Sequence, residues 1–210
     1  MDSSAVGYKK LFPQNRIPTI LSCLLKAGTT LQKKTPYDHE DHLTRRLCAR
    51  LILFPVFRDG PLGIHPQQEI LSFDQDADKP TGRIDILISC GKGFHVYFAI
   101  EAKRLRTISP KGKSVAGNSE YINEGMMRFV TGQYAPLMES GAMLGYVFDK
   151  NIIKARFGID RYLKKKEKEL KLIPPIKLII SKILPNEQIS FTNHNLDNRK
   201  FKIYHTFLAV

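Results

Sequence analysis

Residues 82–105, GRIDILISCGKGFHVYFAIEAKRL, read as two strands joined by a glycine turn. Ile84, Ile86 and Ile88 alternate with Arg83, Asp85 and Leu87, and Val96, Phe98, Ile100 and Ala102 alternate with Tyr97, Ala99, Glu101 and Lys103. Period-two alternation of β-branched and aromatic residues is the mark of a strand. Side chains two apart share a face, so Glu101 and Lys103 point the same way. Gly91-Lys92-Gly93 offers the permissive backbone of a tight turn. A pivot at Gly93 sets Asp85 opposite Glu101, whereas a pivot at Gly91 would offset them by about four residues, roughly 13 Å along the strand.

Charges in such apolar runs need a reason. Asp85 and Glu101, on neighbouring strands, can hold a hard divalent cation such as Mg²⁺ or Mn²⁺, and the Ala102 carbonyl can add a third oxygen. A cation there would lower the pKa of a bound water and stabilise charge on a scissile phosphate. Lys103 would orient that water or neutralise the developing charge. The competing reading is ordinary surface charge on an edge strand.

Asp85 followed by Glu101-Ala102-Lys103, with Gly82-Arg83-Ile84 leading into the aspartate, resembles the PD-(D/E)XK nuclease superfamily. Pro80 lies five residues before Asp85, so the literal Pro-Asp pair is absent. The resemblance implies an α/β protein with a restriction-endonuclease-like αβββαβ core, a mixed sheet flanked by helices, over residues 36–148. It implies metal-dependent hydrolysis of DNA phosphodiester bonds, in a restriction, phage-defence or repair system. In that superfamily a glutamate of the first helix often reaches the metal, and Glu40 is the position that fits. An exposed acid near a helix N-terminus explains Glu40 equally well. Some branches carry Q-x-x-x-Y on the helix after the lysine. Here Gln133 and Tyr134 are adjacent, so Gln133, Tyr134 and Arg128 are candidate site members on a partial match.

Around this hairpin the chain divides into elements. Ile17 to Ala27 is a short helix, part of an N-terminal extension over 1–35. Thr35-Pro36-Tyr37-Asp38 should open a second helix running to about Leu53, with Leu43, Leu47, Leu51 and Phe54 as its apolar stripe. Phe57 to Pro66 reads as a loop, Glu69 to Phe73 as the first strand, and Asp74 to Thr81 as a solvated acidic turn without the glycine and glutamate of a calcium loop. After Lys103, Arg104, Arg106, Lys111 and Lys113 lie in a polar segment reaching Asn118. That segment is either a mobile loop contacting phosphates or a solvated connection. Ser119 to Ser140 has helical periodicity, and Ala142 to Phe148 reads as a strand. The extension over 149–210 should hold a helix from Asn151 to Leu172 and strands at Ile176–Leu184 and Phe201–Val210, linked through His194–Lys200. The lysines at 164–166 and 168 suit a solvated face or a DNA-backbone patch. His205 is a core or edge histidine, or a member of the site.

The 210 residues are 42% hydrophobic and 25% charged, which predicts one domain with a sizeable core. The net charge of +13 points to a polyanionic partner, most simply DNA. The same charge would suit a nucleic-acid-binding subunit of a larger assembly that keeps the fold without the chemistry. A homodimer or a specificity-supplying partner fits the small size. Cys23, Cys48 and Cys90 lack metal-ligand spacing and read as buried thiols of a reducing compartment, hence a cytoplasmic protein. No apolar run spans a membrane, and no secretory signal opens the sequence. His39-Glu40-Asp41-His42 is not a zinc motif, and no glycine-rich phosphate loop or Ser/His/Asp set competes.

Overall fold

A computed structural model describes residues 12–72, 74–91, 96–185, 188–197 and 199–210. Its strands are β1 (Gly63–Ile70), β2 (Gly82–Ser89), β3 (Tyr97–Leu105), β4 (Thr107–Ile108), β5 (Ser114–Val115), β6 (Ser140–Val147), β7 (Ile179–Ile180), β8 (Ser190–Leu196) and β9 (Arg199–Ala209). Helix α1 is Ile17–Gly28 and α2 is Glu40–Leu51. Element α3 starts as a π-helix, Glu120–Met126, and closes with one α-helical turn, Met127–Val130; α4 is Ile152–Lys165.

Seven strands form one mixed sheet in the order β1-β2-β3-β6-β9-β8-β7, and β4 and β5 make a separate small hairpin. β1, β2 and β3 are an antiparallel meander, β6 lies parallel to β3, β9 parallel to β6, and β8 and β7 return antiparallel. The protein is therefore α/β, with helices on both faces. Residues at even positions of β6 and β9 face α1 and α2: the Thr44 and Tyr146 hydroxyls bond at 3.0 Å, and Gly28 meets Leu208 so closely that a Cβ there would fall 2.3 Å from its Cδ2. Odd positions face α3, where the Tyr121 hydroxyl meets His205 Nδ1 at 2.9 Å. With both faces covered, β6 is buried along its whole length and reads as a near-continuous apolar run. One buried apolar cluster runs from Phe12 to Val210.

From α2 to β6 the order is helix, three strands, helix, strand, with a one-turn helix at Pro55–Arg58 and the β4–β5 hairpin interposed. Several boundaries differ from the sequence reading. β1 begins at Gly63, inside the expected loop, because an edge strand tolerates Pro66. α2 begins at Glu40 rather than near Thr35, since the Asp38 carboxylate is drawn onto Arg46 and the Lys34 N–H. α3 ends at Val130, and Gly132, at φ 78°, turns the chain away ten residues before the expected end near Ser140. α4 stops at Lys165. The expected link at His194–Lys200 falls within two paired strands, β8 and β9, apart from Asp197, in the turn between them, and Asn198, which lies outside the described residues. β9 is not an edge: β6 and β8 flank it. Cys23 and Cys48 are buried thiols, but Cys90 is only half-buried. No described helix is long and apolar enough to cross a membrane.

Candidate active site

β2 and β3 pair from Ser89–Tyr97 to Ile86–Ile100, and there the ladder stops. This register centres on position 93, as the facing of Asp85 and Glu101 requires; residues 92–95 themselves lie outside the described residues. One step past the last pair, Asp85 Oδ2 accepts the Ala102 N–H at 2.7 Å. The carboxylate thus takes over where a backbone acceptor would continue the ladder, and this pins it beside Glu101.

Lys103 sits at the centre of the cluster. Its Nζ donates to Glu101 Oε1 at 2.6 Å, to the Ala102 carbonyl at 2.8 Å and to Glu40 Oε1 at 3.2 Å. Glu40 is the first residue of α2, where the helix dipole favours an acid, and its Oε2 accepts the Arg104 N–H at 2.9 Å. Glu40 therefore joins the cluster from the opposite helical layer, through Lys103 and the backbone of β3.

On the α3 side, Arg128 lies 3.4 Å from Glu101 Oε1. Its guanidinium also donates to the Tyr134 hydroxyl, which donates in turn to the Arg83 carbonyl. Gln133 follows α3 in a turn, and its Nε2 donates to the Thr81 carbonyl at 2.8 Å. A cleft of about 270 Å³ is lined by Glu40, Asp41, Asp85, Glu101, Lys103, Arg128 and Gln133, with Gly82 and Arg83. Tyr134 is buried behind it. Asp41 and Arg83, paired across its rim at 3.2 Å, are absent from the sequence-derived set. The signals that could have found them are the position of Asp41 beside Glu40 and of Arg83 two residues before Asp85.

The electrostatics follow from burial and crowding. Glu101, 1% exposed, is pushed up to about 8 by burial and then by the neighbouring Asp85 charge, against the pull of Lys103. Burial raises Asp85 and Glu40 as well, with Lys103 opposing. Burial alone would lower the Lys103 pKa, but Glu101, Glu40 and Asp85 together raise it, so it stays an ammonium.

Among the described residues, no three acidic, cysteine or histidine side chains form one ligand group. Two carboxylates and a carbonyl nevertheless gather here, an all-oxygen donor set of the kind Mg²⁺ uses while keeping several waters. Glu101 Oε2 is buried and has no hydrogen-bond donor, an acceptor left over in a cleft already rich in carboxylate. These residues fit a hard divalent ion.

A larger outer cleft, about 690 Å³, opens from the same place, lined by His39, Glu40, Asp41, His42, Arg45, Lys103, Arg104, Thr107, Val115, Gly117, Glu120 and Glu124. Of the residues expected to contact nucleic acid, Arg104 lines it, and Arg128 lines the inner cleft. Arg106 instead pairs with Asp149 at 2.5 Å. Lys111 and Lys113 are exposed at the tip of the β4–β5 hairpin, so the segment expected as a mobile phosphate-contacting loop or a solvated connection is a small sheet, tied to the end of β3 through the Arg106 N–H and Ala116 carbonyl. His194 and His205 lie elsewhere, in a buried chain described below.

Comparison with protein-family models, with curated protein sequences and with solved structures returned no match.

Proposed function

We propose that the chain is a metal-dependent nuclease hydrolysing DNA phosphodiester bonds, built on a restriction-endonuclease-like core of the PD-(D/E)XK kind. The observation that carries this reading is the convergence of Asp85, Glu101 and Lys103 where β2 and β3 part, with Lys103 Nζ 2.6 Å from Glu101 and the Ala102 N–H on Asp85. The αβββαβ order around them supports the same reading.

Asp85, Glu101 and the Ala102 carbonyl would hold Mg²⁺ or Mn²⁺, with Glu40 beside them. When bound, such an ion acidifies a coordinated water and offsets charge on the phosphate. The chain supplies the rest. Lys103 is held protonated, so it cannot remove a proton from water; it donates to the attacking water or to a phosphate oxygen as negative charge builds. Arg128 and Arg104 can place flanking phosphates. Hydrolysis forms a bond from water oxygen to phosphorus and breaks the bond to the leaving sugar oxygen; the attacking water gives up one proton to solvent, and the leaving oxygen takes one up.

The test is incubation of wild type with supercoiled, linear and single-stranded DNA, with Mg²⁺, with Mn²⁺ and with chelator. Cut product that needs the metal supports the reading. Tight, salt-sensitive binding without product in either metal would replace it with a binding subunit that has the fold alone.

A further inference from the structure

Three depressions run into one another along the N-terminal end of α2. The outer cleft shares Glu40, Asp41 and Lys103 with the inner one, and a third, about 610 Å³, shares His39, His42 and Arg45 with the outer. Together they make a trough leading to Lys103.

Its sides carry opposite charge. One side holds Lys34, Arg45 and Arg104. Arg45 donates to the neutral Gln67 amide at 2.8 Å and Arg104 to the Asp38 carbonyl at 3.1 Å. None of the three pairs with a carboxylate side chain among the described residues. The acids beside them are each paired with a cation: Asp38 with Arg46, Asp41 with Arg83 and Glu40 with Lys103. The other side is the start of α3, with Glu120 and Glu124 exposed to the outer cleft. Duplex DNA presents two phosphate backbones, and such a trough attracts one and repels the other. A single strand has one backbone. It can lay phosphates along the cationic side and turn base edges toward the carboxylates, which accept hydrogen bonds from base amino groups.

The far end supplies a platform. Tyr37 is 48% exposed among Lys34, His39, His42 and Arg45, and among the described residues its ring stacks on no other. An exposed ring in a cationic groove is what non-specific single-strand binding uses, because every base has a π-face.

We infer that the trough binds single-stranded DNA, with a base stacked on Tyr37 and phosphates on Lys34, Arg45 and Arg104, and feeds it toward Lys103. The inference rests on the nuclease reading and narrows its substrate. It is tested by fluorescence anisotropy with labelled single-stranded and duplex DNA of equal length, in EDTA so that nothing is cut. Wild type should bind the single strand about tenfold tighter or more, and Tyr37→Ala should lose about tenfold on the single strand alone, with Tyr37→Phe unchanged. Charge reversal at Glu120→Lys with Glu124→Lys should raise duplex affinity and erase the preference. Equal wild-type binding of both forms, or an indifferent Tyr37→Ala, would overturn the inference and leave the nuclease reading standing. Failure of wild type to bind either form would overturn the inference as well, while the nuclease reading stands or falls by cleavage with Mg²⁺ or Mn²⁺.

Discussion

Glu101 is one of three acids crowded around a single ammonium, and its titration should be visible in the stability of the whole protein. Its folded pKa, about 8, lies above the ordinary carboxylate value. The stability linked to its protonated form is therefore complete below about pH 4.5 and is lost as pH rises toward about 8, the slope of a group that binds its proton more tightly when folded. Asp85 and Glu40 shift in the same direction and add to it. Urea unfolding in EDTA should show a midpoint falling across that window, and Glu101→Gln should flatten the fall. Mg²⁺ needs the deprotonated carboxylates, so its stabilising effect should grow with pH over the same range; a Mg²⁺ effect independent of pH would remove the metal from this site. Lys103→Met should lower DNA cleavage by about 10²–10³-fold, the scale for losing one positioned donor to developing charge. Cleavage by Lys103→Met at the wild-type rate would take Lys103 out of the chemistry.

At the scale of elements, the odd face of the sheet is tied to α3 by a buried relay. His194 Nδ1 can only donate to the Leu170 carbonyl, 2.7 Å away, which leaves its Nε2 to accept from Thr192 at 2.8 Å. Thr192 then accepts from His205 Nε2 at 3.0 Å, and His205 Nδ1 accepts from Tyr121. With both rings neutral, every hydrogen in the relay has one direction and every buried atom in it a partner. Burial lowers His194 to about 4 and His205 well below its usual value. This contribution is complete above about pH 6.5 and is lost as pH falls toward about 4, the opposite sign to Glu101. Tyr121→Phe strands a buried acceptor and should cost about 1–3 kcal/mol in urea unfolding, against a small effect if the relay is incidental. Gly117 closes the β4–β5 hairpin onto β3 at φ 72°, where a Cβ would lie 2.2 Å from the Arg104 carbonyl oxygen. Gly117→Ala should destabilise by about 1–3 kcal/mol and weaken DNA binding at the outer cleft; unchanged affinity and melting temperature would mean that the hairpin adapts freely.

The same scale shows what the sequence could convey. The β2–β3 register was legible because apolar alternation on both arms admits one pivot that brings Asp85 to Glu101. β1 was hidden by Pro61 and Pro66 and by polar residues that an edge strand tolerates. β8, SFTNHNL, reads as polar, yet Thr192 and His194 are buried because they satisfy each other. Only tertiary structure reveals that pairing. The early end of α3 has the same character: Arg128 and Tyr134 meet across the turn at Gly132, not along one helical face. Glu40 lies at the head of the helix that the apolar stripe Leu43, Leu47 and Leu51 predicts, but its dependence on Lys103 and the Arg104 N–H comes from two layers meeting at the end of β3.

For the whole molecule, a net charge of +13 coexists with an acid-rich centre. Long-range attraction for a polyanion is combined with a local carboxylate pocket that repels phosphate until a cation offsets it. DNA binding by Asp85→Asn should therefore stay strong and fall by about tenfold or more between roughly 50 and 200 mM salt. Affinity insensitive to salt would mean that the excess charge serves another partner. The most direct test of the central claim is gel-resolved DNA cleavage by wild type, Glu101→Gln and Lys103→Met, each with Mg²⁺ and with EDTA, using variants shown to melt cooperatively. The account predicts product from wild type with Mg²⁺ alone and a loss of about 10²-fold or more in both variants. Wild-type cleavage that persists in EDTA, no cleavage under any condition, or variants that cut as fast as wild type would contradict it.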